Sequence, residues 1–291
     1  ERIKKIKKIK KIKKMKIYFR LIFFAICLLL VSCKHETKNV YFFKDTEAYN
    51  LAQAVENEDL DKIEKLVKED SKILEVVDAI SNSNVLSLAL TLENFDSFKK
   101  LLELGANPNF INPLTKRSVL IDACTFYNKP EPYTIDLRYI SLLLKYGANP
   151  NYVVENDFTD KEGNYYMATS ALHEASMLDI AMVKILIKAG ANPYKRIEQN
   201  QSTPFSSALK GFKNKFEIIN YYIDSLDVNV KAPLSIVNRQ PSNELVELYV
   251  QDYINKFFAY EQGTDGYIKT QKLIKKLESK GVNFKDYDYK L

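Results

Sequence analysis

The chain has 291 residues, 46% of them hydrophobic, with 19 Tyr, 16 Phe and no Trp. Its three Cys and two His are too few for a disulfide framework or a His-built metal cluster. The net charge of +6 belongs to the N-terminus: residues 1–14 carry +8 and residues 15–32 carry +2, which leaves −4 for residues 33–291, so nucleic-acid binding is not expected. In residues 1–14, Ile3, Ile6, Ile9 and Ile12 alternate with Lys pairs. A three-residue period drifts around a helix of 3.6 residues per turn, so no stable apolar face forms. This basic leader reads either as lying upstream of the true start or as a region that strengthens attraction to anionic lipid.

Met15 opens a complete export signal over residues 15–32: Lys16 and Arg20 in a basic region, then the apolar run Leu21–Val31. The run is too short for a spanning helix, which needs about 20 apolar residues. The string Leu30-Val31-Ser32-Cys33 resembles a bacterial lipobox, which implies that Cys33 is acylated and becomes the first mature residue. The alternative is a plain transmembrane anchor, but the apolar run stops at the Cys and the residues after it are polar. Residues 33–46 are then a lipidated tether. Lys34 stands where an Asp is linked to inner-membrane retention in some bacteria, which points to the outer membrane. Cys27 leaves with the signal, so the mature chain keeps only Cys124 beside the lipid-bearing Cys33.

From residue 47 the pattern becomes repetitive. Three apolar helical runs, Phe98–Leu104, Ile140–Tyr146 and Val183–Ala189, are each followed by a stop: Gly105-Ala106-Asn107-Pro108-Asn109, Gly147-Ala148-Asn149-Pro150-Asn151 and Gly190-Ala191-Asn192-Pro193-Tyr194. A Gly past a helix supplies the left-handed residue that closes the last turn, and Asn-Pro then forces an extended turn. Upstream of each stop lies a helix opening: Asn84-Val85-Leu86-Ser87-Leu88-Ala89, Ser118-Val119-Leu120-Ile121-Asp122-Ala123 and Ser170-Ala171-Leu172-His173-Glu174-Ala175. A fourth copy reads Thr203-Pro204-Phe205-Ser206-Ser207-Ala208. Thr, Ser or Asn caps a helix and Pro is tolerated in its first turn.

These strings resemble the T-P-L-H-x-A opening and the G-A-x-x-N stop of ankyrin repeats, over roughly residues 47–285. The resemblance implies an all-α solenoid of about six helix-turn-helix repeats with short β-hairpin fingers. Residues 47–231 would hold the repeats and residues 232–291 a C-terminal capping repeat. The stops lie further apart than the ankyrin period of about 33 residues. Two insertions account for the excess: residues 127–134, and a polar loop within residues 152–169. The cap is expected as two longer helices, over residues 242–260 and 267–280, ending at Gly281-Val282-Asn283.

Little in the chain suggests catalysis. His35 sits in the tether, and His173 occupies the His of the ankyrin opening, a structural position. No glycine-rich phosphate loop or zinc-spaced Cys pair occurs, so no cofactor and no metal are expected. Asp157, Asp160 and Glu162 cluster in the polar loop, as a solvated turn or a loose cation site. By the resemblance, partners dock on the hairpin tips and on the concave surface of the first helices. Thr91, Leu92, Phe126, Met177 and Leu178 fall at concave positions; Tyr127, Tyr133, Tyr152, Tyr165, Tyr166 and Tyr194 fall in hairpins or insertions. Tyr is enriched in binding surfaces; the alternative is that the enlarged loops fold back over the stripe. The expected function is a monomeric, non-enzymatic interaction module in the bacterial envelope, lipid-anchored, that binds or inhibits a protein partner. An immunity-type inhibitor of a toxin or enzyme and a structural scaffold are the alternatives.

Overall fold

The computed structural model describes residues 39–125, 136–212, 214–241 and 243–290. The expected leader, signal, Cys33 and insertion at 127–134, with Phe126, Tyr127 and Tyr133, lie outside the described residues. A 3-10 turn, Asn39–Phe43, comes first. Among the described residues, twelve α-helices then follow in couples: α1 (Tyr49–Glu56) and α2 (Leu60–Glu69), α3 (Val85–Thr91) and α4 (Phe95–Glu103), α5 (Val119–Ala123) and α6 (Leu137–Lys145), α7 (Ala171–Leu178) and α8 (Ile180–Lys188), α9 (Pro204–Lys210) and α10 (Lys215–Asp224), and α11 (Val250–Phe257) and α12 (Asp265–Ser279). Among the described residues, no helix is long and apolar enough to cross a membrane.

The first helix of each inner couple starts where the opening strings predict. Asn84, Ser118, Ser170 and Thr203 accept the backbone N–H three residues on, from Ser87, Ile121, His173 and Ser206. Each bond satisfies one of the unpaired donors of a helix N-terminus. First helices pack on first helices along the row α1, α3, α5, α7, α9, α11, and second helices do so at α2–α4, α6–α8 and α8–α10. A first helix therefore has neighbours on most sides. In α9 all of Pro204–Leu209 is buried, whereas α2 buries only Ile63 and Val67 and sends its charged residues to water.

The helix stops are closed motifs. Gly105, Gly147, Gly190 and Gly281 have φ of +97, +89, +91 and +85°. The Gly105 N–H donates to the Leu102 carbonyl at 3.1 Å and the next N–H, of Ala106, to Leu101 at 3.0 Å. The same two bonds recur at Gly147, Gly190 and Gly281, and the residue after the Gly is buried each time. A fifth stop has no Gly: Asp227 takes φ +47° in its place after α10.

The last residue of the first three Asn-Pro stops joins neighbouring couples. Asn109 Nδ2 donates to the Gly147 carbonyl at 2.9 Å, and Asn109 Oδ1 accepts from the Asn149 N–H at 2.7 Å. Asn151 repeats both bonds to Gly190 and Asn192 at 2.9 and 2.7 Å. Tyr194, at the third such position, spans to the next stop with its hydroxyl, which donates to the Leu226 carbonyl.

Fingers connect the couples. The finger within residues 152–169 is not an open loop. β1 (Val153–Val154) pairs with β4 (Thr169–Ser170), and β2 (Phe158–Thr159) pairs with β3 (Tyr165–Tyr166), so one hairpin extends another. The C-terminal expectation needs correction. In place of one helix over 242–260, β5 (Ser235–Arg239) and β6 (Glu244–Leu248) form an antiparallel hairpin, and α11 begins only at Val250. The reason is a period of two: Val246 and Leu248 are buried while Leu245 and Glu247 are exposed.

Candidate functional site

A groove of about 560 Å³ opens between first helices and fingers. On α3, Ser87, Leu90 and Thr91 reach it, a spacing that puts them on one helix face. Asp122 and Ala123 come from α5, and Leu114 and Arg117 from the second finger. The third finger forms a wall with Tyr165, Tyr166 and Met167; Tyr165 and Met167 are each 61% exposed. Tyr139 of α6 lines the groove too, its ring edge-on to Phe95 and Phe98.

Inward-turned polar side chains hold this wall. Asn112 Oδ1 accepts from the Leu114 and Thr115 N–H groups at 2.8 and 3.0 Å, while its Nδ2 donates to the Ser81 carbonyl at 2.9 Å. That clamps the second finger to the first. Arg117 Nε donates to Asp122 at 2.7 Å and Nη1 to Glu174 at 3.2 Å, so α5 and α7 share one guanidinium. In the third finger, Asp157 accepts from the Ala168 N–H at 2.7 Å and from the Tyr165 hydroxyl. Asp160 accepts from the N–H groups of Glu162 and Asn164 at 3.0 and 2.8 Å and from the Tyr166 hydroxyl at 3.2 Å. Burial pushes the Asp160 carboxyl up, but these hydrogen bonds outweigh it and hold it below its ordinary range. Phe158 stacks on Tyr166 with ring centroids 5.0 Å apart. Asp157 and Asp160 are thus turn-forming ligands of their own backbone. Among the described residues, no cluster of three or more His, Cys, Asp or Glu side chains suits a metal ion.

The expected site residues separate in the structure. Thr91, Tyr165 and Tyr166 line the groove. Leu92 caps the end of α3 and is half-buried. Tyr152 is half-buried and its hydroxyl donates to the Lys116 carbonyl at 2.8 Å, a finger-to-finger bond. Tyr194 makes the staple described above. Met177 is half-buried beneath the next turn, whose Phe212 N–H points at its carbonyl at 3.4 Å. Leu178 is a correction: it is 6% exposed and belongs to the core. Asp179 both ends α7 and caps α8, so no free turn separates the helices and the last residue of α7 is drawn inside.

The half-buried Leu90 and Leu114 and the exposed Met167 were not legible as site residues, because a Leu or Met carries no sequence mark of what lies across from it. His173 is structural in position. It is 3% exposed, with Nδ1 2.7 Å from Ser170 Oγ and Nε2 3.3 Å from the Ser202 carbonyl. The carbonyl can only accept, so Nε2 carries the proton. Burial holds the imidazole pKa down at about 4. Cys124 is fully buried, and burial pushes its thiol pKa far up, which makes it a poor nucleophile.

No model of a known protein family matches the chain, and no curated protein matches it. A solved structure does share its fold. The crystal structure of the human ASB11 ankyrin repeat domain aligns with a TM-score of 0.50 at 17% identity, over 82% of this chain and 86% of that one. At this identity the likeness concerns the fold alone: the chain has an ankyrin-repeat fold.

Proposed function

We propose that the chain is a non-enzymatic protein-interaction module that binds or inhibits a protein partner through the groove between its first helices and fingers. It acts as a monomer in the bacterial envelope, exported by its signal segment and anchored in the outer membrane by lipid on Cys33. The observation that carries the reading is the groove itself, with Met167 and Tyr165 held out at its rim at 61% exposure by a finger whose own polar groups are satisfied. Exposed apolar and aromatic side chains on a rigid support suit partner recognition.

Met167→Asp combined with Leu114→Asp places charge in the groove without touching a core layer. The pair is expected to weaken capture of the partner roughly thirty-fold or more while the thermal midpoint stays in place. Undiminished capture would put the binding surface elsewhere. The anchor has its own test: Cys33→Ser should abolish incorporation of a labelled fatty acid, and equal labelling of both forms would remove the lipid from the reading.

A further inference from the structure

The turns that join each first helix to its second lie at the other end of the helices from the fingers. The early ones are short and polar, with Glu58 and Glu93 at φ +52 and +60°. The last two are different. α9 closes on Lys210-Gly211-Phe212, and after α11 the chain reads Phe258-Ala259-Tyr260 before the polar Glu261-Gln262-Gly263-Thr264. Phe212 is 67% exposed and Tyr260 39%. Phe212 is fixed in that position: a Cβ on Gly211 would meet the Met177 carbonyl oxygen at 2.8 Å, so the turn lies directly on its neighbour. Behind it, Phe216 contacts the rings of Phe258 and Tyr260 at 5.7 and 6.0 Å.

Three ammonium groups lie over rings at this edge. Lys215 Nζ is 4.3 Å from the Phe258 centroid, Lys210 Nζ 5.6 Å from Tyr253, and Lys256 Nζ 5.8 Å from Phe257. Lys215 also donates to the Phe257 carbonyl at 3.1 Å and is buried, so it braces the two turns against each other. Lys210 and Lys256 are exposed. Among the described residues neither is in an ion pair, although Lys269 and Lys276 of the neighbouring α12 are paired with Asp265 and Asp224. The Lys210 ammonium sits below the usual lysine range, through loss of water and then through the charge of Lys256. This is a positive pair without a counter-ion, on a chain whose residues 33–291 carry −4.

The Tyr260 ring lies on Gly266 of α12 and shows one edge, so Phe212 is the ring that projects, and a projecting ring beside lysines without a counter-ion matches the layer of lipid headgroups. Aromatic side chains settle at that depth, and lysines reach from an apolar surface to the phosphates. We infer that this edge docks on an anionic lipid surface, with Phe212 entering the headgroup layer, Tyr260 supporting the turn behind it and Lys210 and Lys256 facing the phosphates. The inference is independent of the groove and of lipid on Cys33, although a single membrane signal is weak and a second makes attachment firm.

The chain has no Trp, so Phe212→Trp in the full chain reports on this turn alone. With vesicles of phosphatidylglycerol and phosphatidylcholine its emission should shift to the blue and be quenched by brominated lipid. Phosphatidylcholine vesicles should do neither. Ile80→Trp, on the first finger, should keep its emission in both. Lys210→Gln with Lys256→Gln in the Phe212→Trp background should lower the docked-to-undocked ratio roughly thirty-fold, and the corresponding pair of Arg substitutions should retain docking. Unchanged emission of Phe212→Trp while the chain sediments with anionic vesicles would overturn the inference. So would an equal shift with neutral vesicles, or a shift with polyglutamate and none with vesicles, which would make the edge a protein-docking surface.

Discussion

The two edges of this stack use charge in opposite ways. On the finger edge, polar side chains turn inward. Asp78, 1% exposed, accepts from the N–H groups of Ile80, Ser81 and Ser83 and from the Ser81 hydroxyl; Asn112 and Asp160 hold the later fingers in the same manner. On the turn edge of the last two couples, Lys210 and Lys256 are exposed, each with its ammonium over a ring, and no carboxylate among the described residues pairs with them. The difference separates two kinds of surface. A carboxylate saturated by its own backbone sets the shape of a loop and has little left for a ligand. A cation without a counter-ion contributes little to shape and keeps its attraction for one. The finger edge is therefore a preformed contour, and the turn edge an electrostatic one.

The sharpest way to break this comparison is Asp78→Ala. It strands three part-buried backbone donors, and stability measured by urea should fall by about 2 kcal/mol or more. Asp78→Asn, which keeps an acceptor oxygen, should cost less. A loss below about 1 kcal/mol for the alanine variant would mean that the fingers are not held by their polar side chains.

His173 offers a second test on the same edge, through pH. Its folded pKa of about 4 lies below the value of about 6.5 for an unfolded His. The unfolded chain therefore binds the extra proton first as pH falls. The contribution is complete above about pH 6.5 and is lost progressively down to about pH 4, to a total of about 3 kcal/mol. Comparison of urea midpoints at pH 7.5 and pH 4.5 should show a steeper fall for the native chain than for His173→Gln. Parallel falls would show that other groups carry the acid sensitivity.

Glycine substitutions should separate the edges again, with smaller effects. At Gly211, on the turn edge, a methyl group meets backbone at 2.8 Å, so Gly211→Ala should cost about 2 kcal/mol through displacement of the turn. At Gly105, on the finger edge, nothing lies within 4 Å, and only the φ of +97° opposes the substitution. Gly105→Ala should cost about 1 kcal/mol. Differential scanning calorimetry of the two variants should give them in that order. The reverse order would mean that left-handed strain, and not contact, dominates at both sites.

Helix boundaries were largely legible before the structure because their causes are local. A capping Ser or Asn acts on an N–H three residues away, and a Gly acts on its own φ. The stop after α10 was missed because Asp227 does the work of Gly there, and an Asp, which tolerates positive φ better than most residues, marks no helix stop by itself. The β5–β6 hairpin was missed for a different reason. Only Val246 and Leu248 show the period of two, and the apolar Leu245 just before them, 71% exposed, masks it. At the site, Tyr165 and Tyr166 could be proposed from composition, but Tyr152 and Tyr194 have the same composition and act as staples to Lys116 and Leu226. Leu178 looked like Leu92 by its place after the helix opening. The shared cap Asp179 pulls Leu178 into the core, whereas Glu93 at positive φ leaves Leu92 half-buried at a real turn.

By itself the sequence determined the alternation of helices and stops, hence the stacked architecture, because each cap closes within a few residues of its own helix. Which side chains remain available to a partner was decided only by tertiary structure. Asn109 and Asn151 reach acceptors 38 and 39 residues away, and Arg117 reaches Glu174 57 residues away. Leu114 and Met167 line one groove only once those bonds have set the fingers side by side. Local chemistry fixes where a helix begins and ends; exposure is a property of the neighbours, and the neighbours here come from other couples of the stack.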